Sequence, residues 1–368
     1  MSILASLQTF LKPVSLRAFL KGFIHRSLLG IDLGQHTIKL LQLKLKNLQI
    51  LTFGSYTLPP EAITAEGNKR EEYLLTALDG LLRELKIKQK EVALCLPSRS
   101  VIIKKIELPR MEKKEEITSA VFREAEQYIP YELEDVNINY QVVSEEAEKS
   151  DRMEVLLVSA KKEVINRYVA LANEVGLIPY VIDVENFALV NAYEICYGKT
   201  PGPLAIIDIG ASKINVVVVE NNIPVFNREV AIGGIYLTRK IQDNLNMDYE
   251  QAEKIKIEGT SDKNLLSALK EVFVTVTQEW LQEITAALNF FESSTKTKIN
   301  EIFLCGGSSR IEGFSEVLEK SLKKKVHNFN PFNTLRYDSS HFDPAYLEYY
   351  NYQIPIALGL ALRTMVEK

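Results

Sequence analysis

The 368-residue chain reads as an α/β protein of two similar halves closing on a phosphate-binding cleft, with a small α+β module set into the first half. A strand-turn-strand pattern occurs twice, over residues 28–45 around Asp32-Leu-Gly34 and over 203–219 around Asp208-Ile-Gly210, the two aspartates lying 176 positions apart. Further on, an apolar strand from Ile302 enters the double glycine Gly306-Gly307 and leads into a helix over 314–322. A glycine just after a carboxylate lets backbone N–H groups approach phosphate oxygens, and the carboxylate can orient the water shell of Mg²⁺. One such turn is common in any chain; two, each on an apolar strand and each opening a half of similar size, point to a duplicated fold that grips one nucleotide from both sides. The glycines at 306–307 are not the GxGxxG of a first strand, which excludes a dinucleotide-binding reading.

Composition narrows the class. Lys+Arg 44 against Asp+Glu 48 leaves a net charge of −4, without the basic footprint of a nucleic-acid binder. No apolar run approaches the roughly 18 residues of a membrane span. Cys95, Cys196 and Cys305 sit in apolar stretches with no CxxC pair, as small buried hydrophobes do.

Residues 1–27 stand apart. Apolar residues at helical spacing fall on either side of Pro13, with Lys12, Arg17, Lys21, His25 and Arg26 and no acidic residue among them. Two short basic amphipathic helices are expected, and contact with a membrane surface or partner and packing on the protein itself are equal alternatives. After the first hairpin, a helix is expected over 70–86 and strands over 91–96 and 101–108 around Pro97-Ser98. A charged helix over 112–128 follows, then strands near 138–143 and 154–160 separated by the acidic hairpin tip 145–151. Two later stretches, with Ala188 and Ala192 and then Ala357, Gly359 and Ala361, each read on their own as an ordinary amphipathic helix. The aromatic-rich stretch 328–352 reads as a packed surface loop.

In this order the motifs resemble the phosphate-1, connect-1 (181–192), phosphate-2, adenosine and connect-2 (354–361) motifs of the actin/Hsp70/sugar-kinase ATPase superfamily. Within it the chain is most similar to the PilM family of type IV pilus assembly proteins, relatives of the division protein FtsA. The likeness covers Leu28 to Arg363, and its most specific pieces are Asp32 to Lys39, the AspValGluAsnPheAlaLeuValAsnAla stretch and the GlyGlySerSerArgIleGluGlyPhe block. The resemblance implies an actin-like duplicated ATPase fold: an N-terminal segment 1–27, domain I over 28–97 and 160–202, an inserted α+β subdomain 98–159, domain II over 203–353, and a connect-2 helix within 354–368.

By matched position, the resemblance implies ATP and Mg²⁺ as ligands. Gly34, Gln35, His36 and Thr37 on one side and Gly210, Ala211, Ser212 and Lys213 on the other would wrap the phosphates, with Lys39 reaching the β and γ oxygens. Asp32 and Asp208 would hold Mg²⁺ through water. Gly233 and Gly234 precede the helices that bring Glu253 and Lys256 to the ribose and adenine, and Gly306, Gly307, Ser308 and Ser309 would close over the base. Glu185 matches the position that orients an attacking water, for at most a slow Mg-dependent ATPase. Gln35-His36 replaces the usual small Ser/Thr-rich turn, and Asn186 stands where several relatives have proline.

The same resemblance implies a cytoplasmic adaptor, peripheral to the inner membrane. It would dock the N-terminal tail of a PilN-like protein in a groove between domain I and the inserted subdomain, with Pro97, Arg99 and Tyr128 to Tyr131 as candidate lining. Other pilus platform or motor proteins are implied partners, and self-association stays an alternative. An FtsA-like membrane-tethered filament former is the second reading; a metabolic kinase, which the inserted module argues against, is the third.

Overall fold

The computed structural model describes residues 26–144, 151–200 and 202–365. Most of the basic N-terminal segment and of the acidic tip lies outside the described residues. Arg26–Ser27 forms β1, followed by the hairpin β2 (Leu29–Leu33) and β3 (Thr37–Lys44) and by β4 (Gln49–Thr57). After α1 (Pro60–Thr64) and α2 (Gly67–Glu84), β5 (Glu91–Leu96) lies parallel to β2. The chain then leaves this sheet at Pro97 and builds the module from β6 (Val101–Pro109), α3 (Lys114–Tyr128), β7 (Val136–Ser144) and β8 (Arg152–Lys161). These strands pair antiparallel in the order β6-β8-β7, and Ile117, Val121 and Ala125 of α3 bury against Ile106, Leu108, Val155 and Leu157.

The chain returns through α4 (Lys162–Glu174) and β9 (Ile178–Val184), completing a first sheet of order β4-β3-β2-β5-β9. The helix and strand expected over 70–86 and 91–96 thus belong to this sheet's layer, as α2 and β5. Helix α5 (Glu185–Tyr197) crosses to the second half: β10 (Leu204–Ile209), β11 (Ile214–Glu220), β12 (Ile223–Val230), α6 (Gly234–Leu245), α7 (Tyr249–Glu258), α8 (Lys263–Thr295), β13 (Glu301–Cys305), α9 (Phe314–Leu322) and β14 (Lys325–Asn328). Its order, β12-β11-β10-β13-β14, repeats the first sheet: three antiparallel strands, then two parallel ones. The chain closes with α10 (Pro344–Tyr350), α11 (Pro355–Ala361) and β15 (Thr364–Met365), which pairs with β1.

The strands read as continuous apolar runs because both faces of each sheet are covered. In β10, Leu204 and Ile206 face the layer of α5 and α11, whereas Ala205, Ile207 and Ile209 face α6, α8 and α9. Leu41, Leu43, Ile50 and Phe53 of the first sheet reach the same central layer, and its outer face packs on α2 and α4. The two connecting helices are therefore the shared core of both halves. They cross backbone to backbone: a Cβ on Gly359 would lie 1.9 Å from the Ala188 carbonyl oxygen. A Cβ on Gly30 of β2 would lie 2.5 Å from the Ala357 oxygen and the Ala361 nitrogen.

The aromatic stretch is not a surface loop. Phe329, Leu335 and Leu347 are buried, and the Arg336 backbone pairs with β4, its oxygen accepting from Ile50 N (2.8 Å) and its N–H donating to the Leu48 oxygen (3.0 Å). Tyr346 and Tyr350 of α10 pack their rings 5.6 Å from Phe53. The stretch is a strap from the second half to the edge of the first sheet.

Two glycine substitutions test the helix crossing. Gly80 lies exposed in α2 with nothing near its missing side chain, so Gly80→Ala should stabilise by about 0.5–1 kcal/mol through helix propensity. Gly359→Ala should destabilise by on the order of 1–3 kcal/mol despite the same propensity gain, because the clash is with backbone. Urea unfolding of both variants against the parent reads the difference in sign.

Candidate functional site

The two Asp-Xxx-Gly turns face each other across a cleft of about 1490 Å³ that α5 and α11 floor from below. Asp32, Gly34, Gln35, His36, Thr37 and Lys39 line it from the first domain. Asp208, Gly210, Ala211, Ser212, Lys213, Glu253, Lys256, Gly306, Gly307 and Ser308 line it from the second, and Glu185 lies at the junction. Gly233, Gly234 and Ser309 are not on the wall. Gly233 and Gly234 lie behind the second turn, where Gly234 N–H donates to the Gly210 oxygen (3.0 Å), and a Cβ on Gly233 would meet three backbone atoms at 2.7 Å. Ser309 is buried with its hydroxyl on the Gly306 oxygen (2.7 Å). These three shape the loops from beneath.

The first turn is held by a residue that the sequence did not mark. Arg70 of α2 donates to the Gly34 and Gln35 oxygens (3.1 and 3.0 Å), and Leu58 N–H donates to the His36 oxygen (2.8 Å). Three successive carbonyls of the turn are thus engaged by donors. In the second turn the Gly210 and Ala211 oxygens accept from Gly234 and Ile235 N–H, the first residues of α6, so the turn is seated on a helix start.

The two hairpins share a backbone but differ in charge. Asp32 pairs across the strands with Lys39, whose ammonium sits 2.8 Å from its carboxylate; both are buried. Seven residues after Asp208 the cross-strand partner is Asn215, which brings no charge. Burial, with the Glu185 and Asp32 carboxylates adding to it, pushes the Asp208 carboxyl up to about 6. Gly306, at φ 88°, packs directly over it, since a Cβ there would lie 2.3 Å from Asp208 Oδ1. Gly307 meets only the flexible Gln353 side chain, so Gly306 is the constrained member of the double glycine.

Lys213 is taken up by two carboxylates, Glu185 Oε2 at 2.6 Å and Glu229 Oε2 at 2.8 Å. Burial works against its ammonium, yet these two acids outweigh it and hold its pKa above the ordinary lysine value. Glu185 is thereby ion-paired. Elsewhere on the second domain's wall Glu253 accepts from Lys256 (2.6 Å) and from the Thr238 hydroxyl (2.6 Å). His36 Nε2 lies 3.9 Å from Glu253 Oε1 across the cleft mouth. Burial lowers the His36 pKa against the pull of Glu253, with Lys256 and Lys39 adding to burial, so the contact joins a neutral imidazole to a carboxylate.

The chain's own donors suit a hydrated cation shared with phosphate better than a closed metal cage. Among the described residues, no group of three or more His, Cys, Asp or Glu side chains converges as a metal site. Asp208 opens onto the cleft as a carboxylate without an ion pair to a cation among the described residues, where Mg²⁺ that keeps most of its waters would fit. The cavity also extends between α2, α4 and the module's root, past Leu74, Val164, Tyr168 and Leu171 with Arg99 and Arg167. Of the expected groove residues, Pro97 and Arg99 line this arm; Tyr128 and Tyr131 lie exposed elsewhere, each under a lysine, Lys104 and Lys161.

The family model for the type IV pilus assembly protein PilM matches residues 30–365. Among solved structures the chain is similar to one titled "PilM-PilN type IV pilus biogenesis complex", at 25% identity and a TM-score of 0.77 over 92% of this chain and 98% of that one. It is also similar, in fold alone, to the ethanolamine utilization protein EutJ from Carboxydothermus hydrogenoformans, at 12% identity and a TM-score of 0.53 over 94% and 93%. The duplicated sheets and these likenesses bear out the expected actin-like ATPase fold. Among the described residues no helix is long and apolar enough to cross a membrane. The chain belongs to the PilM family of type IV pilus assembly proteins.

Proposed function

We propose that this chain is an ATP-binding adaptor on the cytoplasmic side of the type IV pilus assembly platform, peripheral to the inner membrane, that docks the tail of a PilN-like protein. The observation that carries the nucleotide half is the unneutralised Asp208 carboxylate between two glycine turns. Residues 34–37 and 210–213 wrap the phosphates, and Asp208 with Asp32 holds Mg²⁺ through water. Glu253 and Lys256 meet the ribose and adenine, and Gly306 to Ser308 cover the base. The bound ion neutralises phosphate charge and offsets that of Asp208. Lys39, held by Asp32, and Lys213, held by Glu185 and Glu229, supply positive charge to the phosphate side. A nucleotide that clamps the two domains needs no turnover to stabilise the closed form.

The partner half rests on the likeness to the PilM-PilN complex along nearly the whole chain and on the cavity arm beside the module. Leu74, Val164 and Leu171 give that arm an apolar floor, with Arg99 and the Arg167–Glu71 ion pair at its rim, suited to an extended tail with apolar anchors.

Calorimetric titration tests both halves. Mg·ATP should bind the wild type saturably and Asp208→Asn at least tenfold more weakly, while Val164→Glu should lose tenfold or more in affinity for a PilN-tail peptide and keep its ATP affinity within twofold. Absence of ATP binding to the folded wild type would remove the nucleotide half.

Asp208 also gives a readout without ligand. Ionising Asp208, whose carboxyl is raised, costs the fold stability, a cost fully present above about pH 6 and lost as pH falls toward the ordinary carboxylate value, where the group holds its proton in both states. Asp208→Asn should therefore stabilise the ligand-free protein by on the order of 1–3 kcal/mol at pH 8, and by only about a third of that at pH 4.5, in denaturant unfolding.

A further inference from the structure

The internal repeat breaks at one pair of side chains beside the cleft. In the first half, the cross-strand register runs from Asp32 to Lys39 and on to Ser55 of β4; in the second it runs from Asp208 to Asn215 and on to Glu229 of β12. Five residues after the two aspartates stand Thr37 and Lys213. Where the first half carries Thr37 and Ser55, the second therefore carries a lysine and a glutamate. Both halves build the same three antiparallel strands, so the fold does not require this charge pair.

Glu229 Oε2 accepts from the Lys213 ammonium at 2.8 Å, and Glu185 Oε2 accepts from it at 2.6 Å. The three side chains are each at most 20% exposed, so water and salt screen them little. One ammonium facing two carboxylates leaves the trio with a net negative charge next to the turn. The two acids differ in what else holds them. Glu185 is the first residue of α5 and also accepts from the Ser98 backbone N–H (3.1 Å). Glu229 has one further ion pair among the described residues, with Arg99 at 4.0 Å, whose side chain is 74% exposed and contributes little. Lys213 lines the cleft and Glu229 does not, so the acid meets a ligand only through the lysine.

We propose that Glu229 sets the nucleotide affinity of the cleft: it draws the Lys213 ammonium away from the phosphates, so that the second turn holds them less tightly than it would with that lysine released. The proposal rests on the nucleotide reading given above and adds to it a residue that lies off the cleft wall. Phosphate oxygens at residues 210–213 compete with both carboxylates for one ammonium. Glu229→Gln keeps the shape of the side chain and an oxygen that accepts from Lys213, but removes the charge. The ammonium is then shared between a single carboxylate and the phosphates, and the negative charge of the trio is gone. Glu229→Ser restores the residue that the first half carries at this register and acts in the same direction.

Calorimetric titration of the full chain with Mg·ATP tests this. Glu229→Gln and Glu229→Ser should each bind at least about fivefold more tightly than the wild type, because charges so little exposed act strongly at short range. Glu283→Gln removes an equal charge from the exposed pair with Arg228 and should stay within about twofold of the wild type. In a Lys213→Gln background, which lowers affinity by itself, adding Glu229→Gln should change it by less than about twofold, as expected when the acid acts through the lysine. A readout without ligand is reductive methylation followed by peptide mass spectrometry. Lys213 should be modified at least about threefold faster in Glu229→Gln, since a lysine that loses one of two carboxylate partners has more free amine. Mg·ATP binding that is unchanged or weaker in the folded Glu229 variants, a gain that persists in the Lys213→Gln background, or Lys213 methylation that is no faster overturns the role of Glu229 and leaves the nucleotide reading in place. Failure of Mg·ATP to bind either the wild type or the Glu229 variants overturns that reading, and this proposal with it.

Discussion

Ala188 and Gly359 touch backbone to backbone, and almost everything functional in the molecule is placed by that contact. With no side chain between them, α5 and α11 form a thin central layer onto which both sheets lower their inner faces, so the two domain cores merge into one through these helices. The start of α5 then falls at the junction of the two halves, which is why Glu185 faces the cleft and Asn186 is buried under it. The start of α11 falls beside the double glycine, where Gln353 rests against Gly307 and the Tyr352 oxygen accepts from Gly306 N–H (2.7 Å). Even β2, whose far end carries Asp32, is set against α11 by the missing side chain of Gly30. A larger residue at the crossing would move both walls of the site at once.

On this symmetric frame the chemistry is asymmetric. The two hairpins match residue for residue in register, yet one places Lys39 and the other Asn215 opposite its aspartate. The first turn is electrically closed within the protein; the second is left for something else to neutralise. The side chain that occupies the place of Lys39 in the second hairpin is a neutral amide, and it is used instead to bond Asn186. The lysine two positions earlier, Lys213, points at Glu185 and Glu229 rather than at Asp208. Positive charge is thus present around the second turn but committed sideways.

What could be read in the sequence was local. Both hairpins, both glycine turns, the helix at 314–322 and the small residues of the connecting helices are patterns within a dozen positions, and strands covered on both faces give long apolar runs that stand out. Strand β4 and helix α4 escaped notice, and so did α8, 33 residues long, because its apolar positions from Leu269 to Phe291 share their stretch with exposed Val274 and Phe290, which blur the stripe. The site was legible where glycine or aspartate marks a turn and illegible where a distant side chain serves it. Nothing near Arg70 says that its guanidinium will hold the Gly34 and Gln35 carbonyls, and nothing near Glu229 says that it will share Lys213. The aromatic stretch misled for the same reason, since its partners Phe53 and Ile50 lie almost three hundred residues earlier in the chain.

The strap bears on how far the two domains can turn against each other. A wide rotation of one domain against the other would have to break the Arg336 pairing with Leu48 and Ile50 and part Phe53 from Tyr346 and Tyr350, besides sliding two helices that touch without side chains. Each of these contacts opposes hinge motion at the end of the molecule away from the cleft mouth, and close-packed backbone does not yield gradually. At the mouth, by contrast, the domains meet through polar contacts between charged or ionisable side chains, His36 with Glu253 and Lys213 with Glu185.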